Sequence, residues 1–126
     1  MDEDEEGFSK GLITTFVEQA MNIFNQIESL LADKEDENKL TKLSSLGHYL
    51  KGSAAALGLK KIQYQCERIQ NYGNKIAFDE FGKKETKKDD DDDETWLSCI
   101  QDALKIAKLE FVKTRNLFSE YFGETL

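Results

Sequence analysis

Proline is absent from the 126 residues, and histidine occurs once and cysteine twice. With few β-branched residues beside the Leu, Lys, Glu, Ala and Gln content, a proline-free chain is expected to be all-α. No run of about eighteen apolar residues is present, so no segment reads as a membrane span. No signal peptide is visible. Basic residues are in deficit, 17 Lys and Arg against 25 Asp and Glu, for a net charge of −8. That balance argues against nucleic acid as a partner, because a phosphate backbone needs a basic surface. Cys66 and Cys99 lack a C-x-x-C spacing. They read as small hydrophobes kept reduced, which points to a cytoplasmic or nuclear protein. A Walker loop, a kinase glycine-rich loop and any other ATP-site motif are missing. No kinase or ATPase activity is therefore expected. Without a second histidine or a convincing cysteine partner, neither a catalytic triad nor a zinc site can be assembled.

What remains fits one helical domain over residues 1–126. Residues 1–7, MDEDEEG, form an acidic lead-in. A first helix is predicted from Phe8 to Ala32, with a wide apolar stripe that includes Leu12, Ile13, Phe16, Val17, Ala20, Ile23, Phe24 and Ile27. The short connection DKEDEN, 33–38, implies an antiparallel return. The second helix runs from Leu40 to Leu57, where Gly58 can end it in a left-handed conformation. The third covers Lys60 to Ile76, with Ile62, Cys66, Ile69, Gly73 and Ile76 facing inward. Residues 79–93, ending in a run of five aspartates, read as an acidic, disordered linker. Consecutive aspartates lack the alternating spacing of a calcium loop, so no metal site is expected there. The last helix is predicted from Glu94 to Phe122. The sum is an antiparallel four-helix bundle, up-down-up-down.

One helix face stands apart. Turning each residue of 40–57 by 100° puts Leu40, Leu43, Leu46, Leu50, Ala54 and Leu57 on one stripe. His48, the single histidine, falls almost opposite, among Thr41, Ser44, Ser45, Gly52, Ala55 and Ala56, all small. Gly52 in a helix interior costs roughly 1 kcal/mol relative to alanine. Gly47 costs as much, and close helix packing would compensate it. Such a shelf makes room for another molecule to approach the imidazole, a good nucleophile near neutral pH. Lys51, one turn on, is placed to pair with an anion carried by the ring, a phosphoryl group above all. Read from this face alone, a solvent-exposed histidine on an ordinary polar surface is the favoured account, since surface residues usually need no special explanation.

The run HYLKGSAAALG at 48–58 resembles the motif of histidine-containing phosphotransfer domains. The likeness extends to CERIQNYG at 66–73 and FSKGLI at 8–13, and it is most like the fungal phosphorelay intermediates of that family. It implies that His48 takes a phosphoryl group from a receiver-domain aspartate and hands it to another receiver. The partners implied are response-regulator receiver domains, including that of a hybrid histidine kinase, in osmotic stress signalling. A monomer is expected. No cofactor of its own is implied, and magnesium would come with the receiver. A glutamine at the place of Gln70 lies beside the reactive histidine in this family. Gly52 and Ser53 would admit the receiver's loops, and Phe8, Leu12, Ser53, Leu57 and Tyr64 would form the docking patch. For Leu12 and Leu57 a core placement is equally open. Some fungal members carry a basic residue one turn beyond the glutamine, where Asn74 and Lys75 stand here. They also carry a further N-terminal helix, so the resemblance implies that the surface it covers is bare. The alternative is a helical adaptor that binds without chemistry, which predicts no loss beyond a contact when His48 is removed.

Overall fold

The computed structural model describes residues 2–77, 79, 81, 83 and 93–123, with backbone only for residues 2–9. The Phe8 side chain and most of the 79–93 segment therefore lie outside the described residues. Four helices follow one another: α1 (Asp2–Ala32), α2 (Lys39–Ala56), α3 (Lys60–Gly73) and α4 (Asp93–Phe122). Each packs on two neighbours, α2 lying between α1 and α3, and α4 between α3 and α1. Paired residues run in opposite order on both of the faces that α4 shares with its neighbours. Met21 meets Arg115 and Glu28 meets Lys108 across α1 and α4, while Arg68 meets Asp102 and Lys75 meets Asp93 across α3 and α4. This is the antiparallel bundle the periodicity predicts.

Local chemistry sets the helix ends. In the 33–38 turn, Asp33 and Asp36 each accept the backbone N–H two residues on, at 2.9 and 2.8 Å, in the usual habit of aspartate at a turn. The Lys42 ammonium beside Asp36 and the Asn38 N–H hold that carboxyl below its usual value. At the end of α2, Gly58 takes φ +72°. The Leu59 N–H then reaches the Ala54 carbonyl at 2.9 Å and the Gly58 N–H the Ala55 carbonyl at 3.0 Å, satisfying two orphaned acceptors.

Two predicted boundaries are corrected. The helix expected to start at Phe8 starts at Asp2, so residues 2–7 of the acidic lead-in are part of α1. The third helix stops at Gly73, three residues before Ile76, because Lys75 adopts φ +58° and repeats the closing pattern of α2. The Ile76 N–H bonds the Asn71 carbonyl at 2.8 Å, and the Ile76 side chain, expected inward, is 47% exposed. Without a glycine, that left-handed residue costs roughly 1–2 kcal/mol.

The core holds Tyr72, Ile27, Leu43, Leu50, Ile62, Ile69, Ile100, Cys66 and Cys99 almost fully buried. The Phe111 ring is wedged against Phe24 and Phe16, with centroids 5.4 and 6.3 Å away. Beside Tyr72 packs Trp96, the one tryptophan, at 6.3 Å.

Sequence reading missed a buried polar cluster behind α3. The Arg68 side chain is only 4% exposed. Its guanidinium donates to Gln65 at 2.7 Å, Asp102 at 2.9 Å and the Tyr72 hydroxyl at 3.1 Å, and pairs with Asp79 at 3.0 Å. Phe81 covers it, with the ring centroid 4.9 Å away. Asp79, expected in a solvated linker, is instead drawn in by this charge. Burial, then the hydrogen bond to Asp79, pushes the Tyr72 phenol above its ordinary value of 10.0.

Two expected outcomes follow from this packing. Because the folded phenol holds its proton more tightly than the unfolded one, stability should be full below about pH 10 and fall as pH rises further. Tyr72→Phe should cost about 1–3 kcal/mol in urea unfolding at pH 8, and the gap to wild type should narrow above pH 10. Burial also pushes the Cys66 thiol up to about 12. Native-state alkylation of Cys66 should therefore proceed only as fast as the chain unfolds, tracking denaturant-dependent opening followed by mass spectrometry.

Candidate functional site

His48 stands exposed near the middle of α2, as the stripe of leucines on the opposite side requires. A Cβ built on Gly52 would meet nothing within 4 Å, so the shelf next to the imidazole is open. Thr41, Ser45, Ala55 and Ala56 are exposed as expected. Ser44 is not: it is 7% exposed, turned into the seam with α3, where its hydroxyl donates to the Gln70 carbonyl at 3.0 Å.

That seam is unusually close, and glycines make it so. A Cβ on Gly47 would lie 2.9 Å from both the Cys66 carbonyl oxygen and the Gln70 nitrogen. One on Gly73 would lie 2.6 Å from the Leu40 carbonyl oxygen and 2.7 Å from Ser44 Cβ. Neither position can carry a side chain without parting the helices. The reward is the position of Gln70, whose Nε2 lies 3.2 Å from His48 Nδ1. The Gln70 Oε1 is buried and has no hydrogen-bond donor among the described residues.

Of the three residues expected to do chemistry, His48 and Gln70 are in contact. Lys51 follows one turn later, half-buried, with no ion pair or hydrogen bond among the described residues. Lys75, the nearest candidate for a second cation, is turned to Asp93 at 3.0 Å. Asn74 is exposed.

The expected docking residues divide. Leu12 on α1 is 46% exposed and Tyr64 on α3 is 43% exposed, one on each side of α2. Leu57 is half-buried and packs against the core, so it contributes only an edge. Ser53 is half-buried, and its hydroxyl turns back to the Tyr49 carbonyl at 3.5 Å. Tyr49, beside His48 in the motif and given no role by sequence reading, is a large exposed apolar side chain. Its place off the leucine stripe was the available signal. Among the described residues, no three His, Cys, Asp or Glu side chains gather to hold a metal ion. No helix among them is long and apolar enough to cross a membrane.

Comparison with known proteins agrees with this geometry. The phosphorelay intermediate protein YPD1 of Candida albicans is 40% identical, with 97% of this chain and 86% of that protein covered. Its namesake in Saccharomyces cerevisiae is 38% identical over 100% of this chain and 89% of its own. The co-crystal structure of the Saccharomyces cerevisiae histidine phosphotransfer signalling protein Ypd1 with the receiver domain of its downstream response regulator Ssk1 superposes with a TM-score of 0.80. There the identity is 39%, and 100% of this chain and 89% of that one are covered. Residues 11–106 match the Hpt domain. With an exposed histidine on a four-helix bundle and full-length likeness to such relatives, the chain belongs to the Hpt domain family.

Proposed function

We propose that the chain is a phosphorelay intermediate in which His48 accepts a phosphoryl group from one receiver-domain aspartate and passes it to another. One arrangement carries this reading: an exposed imidazole held at Nδ1 by Gln70, 3.2 Å away, on a helix face left open by Gly52. A neutral imidazole bears its proton on one nitrogen and its lone pair on the other. Gln70 occupies the Nδ1 side, so Nε2 meets the incoming group. For Nε2 to hold the lone pair, Nδ1 keeps the proton and Gln70 presents its carbonyl oxygen. A half-turn of the amide does this.

The step then balances simply. The Nε2 lone pair attacks phosphorus in line while the bond to the aspartyl oxygen breaks and a carboxylate departs. Nδ1–H stays on the Gln70 oxygen, so in the onward transfer the ring leaves as neutral imidazole rather than as an anion. Lys51 offsets phosphoryl charge from one turn away. Gly52 and Ser53 leave space for the receiver's loops. Leu12 and Tyr64, with Phe8 and the Leu57 edge, give the receiver apolar contacts, since reactive groups alone provide little affinity. Magnesium is held by the receiver's own acidic pocket. Receiver domains, that of a hybrid histidine kinase included, are the partners, in the cytoplasm and nucleus. The yeast relative crystallised with a receiver domain supports the receiver as partner.

His48→Gln should abolish acid-labile labelling from a phosphorylated receiver while leaving the circular-dichroism melt within error of wild type. Undiminished labelling would sink the relay through His48. Gly52→Gln should slow transfer at least tenfold by obstructing the shelf, yet stabilise α2 by up to about 1 kcal/mol through helix propensity. Stopped-flow transfer and thermal melts on the same preparation separate the two effects.

A further inference from the structure

The geometry points to Ser44 as a positioning residue for phosphotransfer, an inference that rests on the role of His48 proposed above. Ser44 and His48 are four residues apart, one turn along the same flank of α2. Each grips the same residue of α3. The Ser44 hydroxyl donates to the Gln70 backbone carbonyl at 3.0 Å, and His48 Nδ1 lies 3.2 Å from the Gln70 side-chain amide.

The neighbouring serines behave differently. Ser45 and Ser53 return their hydroxyls to carbonyls four residues back on their own helix, at 3.2 and 3.5 Å, the ordinary habit of serine in a helix. Ser44 crosses to another helix instead, and is buried in doing so. The carbonyl it meets belongs to the last turn of α3, where acceptors run short of partners. Its intrahelical donor, the Asn74 N–H, lies at 3.2 Å and is shared with the Asn71 carbonyl at 3.0 Å.

Glutamine has three rotatable side-chain bonds, and each costs entropy to fix. Anchoring its backbone restricts where the amide can go. The Gly47 and Gly73 contacts press the helices together on either side, so the anchor cannot slide along the seam. Ser44 thus sets the reach of Gln70, Gln70 holds the proton on Nδ1, and Nε2 keeps its lone pair outward.

The chain has one histidine, so its ring signals in 15N NMR are unambiguous. Ser44→Ala should lower the single-turnover transfer rate from a phosphorylated receiver by about three- to tenfold, the worth of one hydrogen bond. The receiver concentration at half-maximal rate should not move, and the His48 ring shifts should move toward a mixture of tautomers. Ser45→Ala, the same change one residue along, should alter none of these. In a Gln70→Ala background, Ser44→Ala should have no further effect on rate. The proposal is overturned if Ser44→Ala transfers at the wild-type rate, if it slows transfer with the ring shifts unchanged, or if its effect multiplies with that of Gln70→Ala. Wild type that takes no label would defeat the phosphorelay reading instead, and the ring shifts would still decide whether Ser44 controls the tautomer.

Discussion

The site depends on how closely α2 can approach α3. Two glycines, Gly47 on one helix and Gly73 on the other, remove the side chains that would otherwise hold the backbones apart. Gly47, inside α2, weakens its helix by roughly 1 kcal/mol relative to alanine, whereas Gly73 is the last residue of α3 and costs less. In exchange, a histidine and a glutamine on different helices come within hydrogen-bonding distance while the histidine stays in solvent. At a wider seam the amide would fall short, and the ring would turn freely between tautomers.

The opposite flank of α3 is fixed by charge. Arg68 is surrounded by Gln65, Tyr72, Asp79 and Asp102, which ties α3 to α4 and to the segment that leaves α3. A buried ion pair adds little net stability over apolar packing, but losing one partner strands the others and costs several kcal/mol. It therefore discriminates sharply against rotated or shifted placements of α3. Glycine contacts on one side and a guanidinium cluster on the other leave this helix one orientation.

Much of this was legible in the sequence, for a physical reason. A helix that buries one side must repeat its apolar residues every three or four positions, and all four helices do so. The same rotation that put the leucines of α2 inward put His48 outward, and Gly58 marked where α2 would turn. What the wheel could not supply was the approach of a neighbour. Ser44 reads as a small outer residue until α3 is seen to lie against it. Arg68 takes two of its partners from beyond α3, Asp79 and Asp102, and no periodicity pairs them. Ile76 was misplaced because only a lysine in a left-handed conformation ends α3, and lysine gives no warning of that. Leu12 could have gone either way, since the first turns of a long helix can overhang the core, and its half-exposure follows from that position.

His48 sits on the outside of a helix rather than in a cleft. Under the relay proposed above, an outward-facing ring offers one seat, and whichever receiver occupied it would exclude the rest. Donor and acceptor would not meet on the protein, so a phosphoryl group on His48 would wait through a departure and an arrival. Signal flow through such a carrier would then be a matter of traffic: the abundance of each receiver and the time each spends docked would decide the route.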